Sequence, residues 1–473
     1  MKHGKRIKTS ACAFRVKLIG SVLLSGFLLF LGCAPLAGNS WPSNLEVTSR
    51  AFSIIDSHYV DDPDFSKLRY GALLGLTKLL APDSLVTEQS GEDLLIGYRL
   101  SGDSLSWKTF SPRPDKDTSF KDVKFVYDVA RQLAPEISEE VLESAMLESA
   151  VAHMDPQSSF LDRASTRELR TDVVGDLGGI GVELRLQANE PWIVSVIDGT
   201  PAQRVGLSSG DRILKIDGIS TRDMQLRNVV RLLRGKVGSG ITVTVIRDGW
   251  LGPKDFNLQR AVVRIPSIQS RVIESGIGLI AIRQFTADVV RSLESVLQSL
   301  EKGGLQRLIL DLRGNTGGLL VQPPQVAGKF LQRGTLITYT KARAPEQSNQ
   351  RYSSDDVTPR LDLPLVILVD KNTAAGAELV AGTLQEAGRA KLVGARTHGH
   401  ATIQTVLPLV GDSMLRLTTA RWFTPKGNSV DNIGLLPDVS VETLSGGEQR
   451  VWGDVTQDPV LQRSIEIIKR ERH

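Results

Sequence analysis

LPLVILVDKNTAAGAELVAGTLQEAGRAKLVGARTHGHATIQTVLPL, residues 363–409, is the stretch from which the architecture reads outward. Leu365 to Val369 form an unbroken apolar run, the mark of a strand buried on both faces. The polar turn Asp370-Lys371-Asn372-Thr373 stops it. Small residues, Ala374-Ala375-Gly376-Ala377, then open a helical pattern that runs to Ala387, and a second strand leads into the loop Thr397-His398-Gly399-His400. A strand-turn-helix of this kind presents one residue and a fan of backbone N–H groups at a helix N-terminus, a place suited to a developing oxyanion.

The stretch resembles the core of the C-terminal processing (tail-specific) peptidases, exported serine proteases with a Ser/Lys dyad. In that family the turn reads T-A-S-A-S-E, with its first Ser the nucleophile, and the general-base Lys follows in T-F-G-K-G. Here the turn reads Thr373-Ala374-Ala375-Gly376-Ala377-Glu378 and the loop Thr397-His398-Gly399-His400-Ala401. The nucleophile position is Ala375 and the base position His400, so both catalytic side chains are missing. The resemblance implies supporting roles for Glu378 and Gln404, and oxyanion donors at Gly317 and Gly376. It implies no cofactor.

The remaining core motifs lie on either side. Gly276 to Ile282 reads as a strand, Ala287 to Leu300 as an amphipathic helix, and Leu308 to Leu312 as a second strand. That strand opens into Arg313-Gly314-Asn315-Thr316-Gly317-Gly318, similar to the family's D-L-R-x-N-P-G-G with Thr316 in place of Pro. Residues 265–446 thus resemble the family's peptidase core, and their alternating strand and helix patterns predict an α/β fold for it, closed by a C-terminal helix within 447–473.

Residues 172–252 resemble a PDZ domain, β-rich with two helices. Gly178-Gly179-Ile180-Gly181-Val182 matches its carboxylate-binding loop, and Gly210 to Gly218 its middle section. Glycines there let backbone N–H groups converge on a chain-terminal carboxylate while the peptide adds as a strand. Leu226 to Leu233 supplies the groove helix. The expected ligands are polypeptide C-terminal tails; a PDZ that only spaces the flanking parts is the alternative.

Upstream, 46–84 and 118–170 read as two copies of one helical unit, with Asp83 and Asp155 at matching places. The second copy resembles the family's helical N-terminal segment and the first is additional, either packing material or an arm for homo-oligomerisation. The polar, Pro-containing Leu85 to Asp117 between them reads as a loop or irregular insert.

The first 17 residues hold six Lys/Arg and no acid; without them the formal charge of +4 becomes −2, so nothing argues for nucleic acid. Residues 1–37 read as an export leader. Leu31-Gly32-Cys33-Ala34 resembles a lipoprotein processing site with Cys33 acylated; an uncleaved membrane anchor is the alternative. Cys12 is the one other cysteine, so no internal disulfide or Cys-based metal site is available to the mature chain. His398 and His400 alternate and would share a strand face, but lack a third ligand of fixed spacing, so no metal is expected.

The expectation is an envelope protein of the tail-specific peptidase type without the dyad, binding C-terminal tails as a scaffold or regulator, with an active relative as a candidate partner. The alternatives are an active serine-type endopeptidase with a rearranged site, for example Thr373 recruited by His400, and a structural assembly subunit of the envelope.

Overall fold

The computed structural model describes residues 44–80, 84–90, 93–99, 104–167, 177–187, 189–263, 267–343, 349–441 and 452–470. The leader, Cys33 and Asp83 lie outside them. Among the described residues no helix is long and apolar enough to cross a membrane.

Four helices open the chain: α1 (Glu46–His58), α2 (Phe65–Leu79), α3 (Lys116–Leu133) and α4 (Glu139–Ala152). Asp64, Asp115 and Ser138 cap α2, α3 and α4, each side chain accepting from N–H groups of the first turn. α1 begins at Leu45, which offers no such acceptor. The buried carboxylate of Glu143, on α4, accepts from Thr48 N and Thr48 Oγ1 at 2.8 and 2.7 Å instead.

The two copies fold as two hairpins packed face to face. Buried Thr48, Ala51, Phe52, Ile54 and Ile55 of α1 match in spacing Val123, Val126, Tyr127, Val129 and Ala130 of α3. Buried Leu68, Arg69, Ala72, Leu73 and Leu76 of α2 match Leu142, Glu143, Met146, Leu147 and Ala150 of α4. This register differs from the one read from Asp83 and Asp155.

The insert expected to be irregular between the copies is an antiparallel sheet of Leu85–Ser90, Asp93–Tyr98 and Ser106–Phe110. Leu85, Leu94, Ile96 and Phe110 bury into the helical core. Leu94 and Ile96 are buried on either side of half-buried Leu95, a period of two that makes a strand in a stretch whose overall polarity suggested a loop.

The PDZ unit has a sheet whose edge strand is Val182–Gln187, against which the helix Leu226–Leu233 lies. It extends past the expected end at residue 252: Lys254–Gln259 pairs with Gly240–Ile246, and Ala261 bridges Gly179.

The α/β core is a six-stranded sheet in the order 268–274, 277–282, 307–311, 365–369, 391–394, 439–440. Only its first pair is antiparallel. Leu365, Ile367 and Val369 pack toward the helices Val289–Lys302 and Gly376–Glu386. Val366 and Leu368 face the helix Pro459–Arg470 on the other side, so the strand is buried on both faces. Adjacent strands Arg307–Asp311 and Leu365–Val369 run parallel, so the loops after them open side by side at the carboxyl edge of the sheet. A second sheet brings in Thr402–Pro408, paired with Met414–Phe423. The latter also pairs with Ser159–Leu161, at the end of the second hairpin.

Candidate functional site

The elbow after Val369 is held from below. Thr373 Oγ1 donates to Leu312 O and lies 3.0 Å from Asp370 Oδ1, and Asp370 Oδ1 takes the amides of Gly314 and Asn372. Buried Asn315 joins the two loops: its Nδ2 donates to Ile282 O, and its carbonyl accepts from Ala374 N at 2.9 Å. Between these anchors Ala375 takes φ 49°, ψ −115°, a conformation that costs an L-residue about 1–3 kcal/mol. It directly precedes the helix Gly376–Glu386. Gly376 belongs there for packing: a Cβ would stand 2.6 Å from Pro323 Cγ.

Fully buried Glu378 ties this elbow to the loop carrying His400. Its carboxylate accepts from Ala375 N at 3.0 Å, from Gly399 N at 2.7 Å, from His400 N at 2.8 Å and from Thr397 Oγ1. Ala375 and His400 are therefore joined through Glu378. Gly399 (φ 89°) is required by close approach, because a Cβ would sit 2.8 Å from Ile433 N and Gly434 N.

His400 is half-buried. Burial pushes its imidazole below the usual value, more than the carboxylates of Glu378, Asp431 and Asp155 raise it, and His398 adds to the lowering. His398 is exposed, its ring centroid 6.5 Å from that of His400. The two lie in a loop, so they do not share a strand face. Among the described residues no group of three or more His, Cys, Asp and Glu could hold a metal ion.

Gln404 stands apart from the elbow. Its Nε2 donates to Thr402 Oγ1 at 2.9 Å and lies 3.4 Å from Thr418 Oγ1, which donates in turn to Asp155 Oδ1 at 3.2 Å. Tyr59, at the end of α1, sets its hydroxyl against the same Asp155; burial first, then that carboxylate, hold the phenol well above its ordinary value. The next residues dock too: Val60 N donates to Thr418 O, and Asp61 makes a two-pronged pair with Arg421 at 2.7 Å. Arg421 continues to Asp431, whose Oδ1 accepts from Ala401 N. The first hairpin thus reaches the loop beside His400. Sequence reasoning missed this, because nothing in Tyr59-Val60-Asp61 points to strand 414–423.

One expected donor is corrected. Gly317 lies beside the elbow, a Cβ there falling 3.0 Å from Ala375 Cβ. Its N–H, however, is given to Asn315 Oδ1 at 2.8 Å. The N–H of Gly376 has no acceptor among the described residues, and neither has that of the adjacent Gly318.

In the PDZ unit Gly181 takes φ 86°, with Ile197 N donating to its carbonyl and Thr200 filling the space of a side chain. Gly178 pairs with Gly235 in a short antiparallel ladder. The N–H of Gly179 is spent on Ala261 O at 2.9 Å. Those of Ile180 and Gly181 have no acceptor among the described residues, and Val182 begins the edge strand.

Comparison with known proteins gives the context. Residues 276–441 match the model of peptidase family S41, and residues 192–247 that of a PDZ domain. The chain is 33% identical over 305 residues to a carboxy-terminal-processing protease of Bartonella bacilliformis, 63% of this chain and 70% of that protein. It is 30% identical over 308 residues to a probable CtpA-like serine protease of Staphylococcus aureus, 65% of this chain but 61% of that protein. Among solved structures, the photosystem II D1 C-terminal processing protease is 23% identical at a TM-score of 0.46, covering 85% of this chain and 94% of that one.

Proposed function

The chain belongs to peptidase family S41, in the C-terminal processing branch that carries a PDZ domain, and we propose that this member holds polypeptide C-terminal tails without cutting them. The observation that carries the reading is Ala375. The elbow keeps its strained backbone, yet the side chain it presents is a methyl group, with no lone pair to attack a carbonyl. Thr373 does not replace it: it is buried and its hydroxyl is taken up by Leu312 O and Asp370. His400 keeps a neutral, proton-accepting ring, but no described hydroxyl is hydrogen-bonded to it.

What remains suits binding. The PDZ loop offers unspent amides at Ile180 and Gly181 beside an open strand edge, the features by which a terminal carboxylate and an added strand are recognised. The elbow offers the Gly376 amide beside a neutral imidazole. In this reading the protein works in the cell envelope, anchored through its leader or through acylated Cys33, and sequesters tails or presents them to an active relative.

The test uses the full chain and a labelled, unstructured peptide with an apolar C-terminus. Saturable anisotropy, lost when the terminus is amidated, with the peptide intact by mass spectrometry, is the expected result. Cleavage that scales with protein concentration and vanishes in His400→Ala would overturn the reading in favour of a rearranged endopeptidase.

A further inference from the structure

Helices α2 and α4, one from each hairpin, contact each other reciprocally. In the register set by their buried residues, Gly71 and Gly75 of α2 stand where Ala145 and Ser149 stand in α4. A Cβ on Gly71 would meet Ser149 O at 2.7 Å, and one on Gly75 would meet Ala145 O at 2.3 Å. Each position touches the counterpart of the other, the signature of an isologous two-fold interface. We infer that α1–α4 are the two halves of a two-fold helical dimer carried in one chain, closed in cis and unavailable to a second copy.

The polar residues buried in that interface show that the halves fit only each other. Arg69 and Glu143 occupy equivalent places with opposite charge. Arg69 reaches α3, pairing with Asp122 at 2.7 Å and donating to Ser111 O. Glu143 reaches the open first turn of α1 at Thr48. Two copies of the first hairpin would set Arg69 against Val47, which stands where Asp122 stands, leaving a buried cation without its carboxylate. Two copies of the second would set Glu143 beside Asp122 and against Val123, whose amide lies inside α3 and is already bonded within the helix. A buried charge facing a like charge or none is strongly disfavoured, and such misfits are how self-pairing is excluded. The additional copy is thus the built-in partner of its neighbour, in place of an arm that recruits another molecule.

The experiment uses the full chain with Cys12 and Cys33 replaced by Ser. Tyr70 and His153 face each other across α2 and α4, ring centroids 5.7 Å apart. The chain carrying both Tyr70→Cys and His153→Cys is expected to close with a short bismaleimide into a cross-linked monomer, while a mixture of the two single variants gives no covalent dimer. Covalent dimers from the mixture would overturn the inference. A second measurement addresses the charges. Arg69→Glu gives both hairpins the same buried carboxylate and is expected to lower the thermal midpoint by about 5–10 °C, with partial recovery on adding Asp122→Arg. An unchanged midpoint would show that the opposed charges do not select the pairing.

Discussion

The backbone amides of Ala375 and His400 donate to one and the same oxygen, Glu378 Oε2, at 3.0 and 2.8 Å. The two positions that would carry a dyad are therefore fixed to each other by the main chain, independently of the side chains they bear. A binding site can keep its shape on such a scaffold after its chemistry is lost.

On the proposed reading, that geometry makes catalysis recoverable in part. Ala375→Ser with His400→Lys is expected to cut an unfolded substrate with an apolar tail, measured by appearance of a new N-terminus, while either change alone stays silent. Activity stays modest, because Gly376 fixes a packing that an alanine would break against Pro323.

Glu378→Gln should be costly. A neutral amide has one acceptor oxygen for four donors, and its NH2 group faces N–H groups that it repels. A loss of about 3 kcal/mol is expected in denaturant titration, with the 397–400 loop exchanging its amide hydrogens faster than in the native chain.

Ala375→Gly should run the other way. Relief of the positive φ offsets the larger entropy of an unfolded glycine, and a gain of about 1 kcal/mol is expected from the same titration. Peptide binding should be unchanged.

The pH dependence follows from His400. Its folded value lies below 6.5, so the unfolded chain takes up the proton first. The contribution of the neutral ring is complete above 6.5 and is lost as pH falls through the folded value. An NMR titration should place His400 below the ordinary imidazole, and His400→Gln should flatten the slope of stability in that window.

Gly181→Ala tests the PDZ loop. A methyl group there would lie 2.2 Å from Thr200 Cβ at a φ of 86°, so the loop must shift. Tail affinity should fall at least tenfold by anisotropy, while the helical region and the α/β core keep their melting behaviour.

Much of this was legible in the residues. Leu365 to Val369, the small-residue helix start, and the spacing from Gly178 to Gly218 each carry a local physical requirement, and the strand, elbow and groove helix stand where those requirements put them. Gly317 did not read correctly, because whether its amide is free depends on the side chain of Asn315, two residues away. The sheet between Leu85 and Phe110 was hidden by the overall polarity of the residues around buried Leu94, Ile96 and Phe110. The docking of Tyr59 and Asp61 on strand 414–423 is a meeting of segments far apart in sequence, and no local pattern encodes it.

A symmetric dimer meets every substitution twice, once on each side of its axis, and forms only above a threshold of concentration. With both hairpins on one chain, neither condition applies. The helical platform beneath His400 is complete in a single molecule however scarce the protein is, and each half is free to drift alone. The divergence of Arg69 from Glu143 is the drift that such freedom allows.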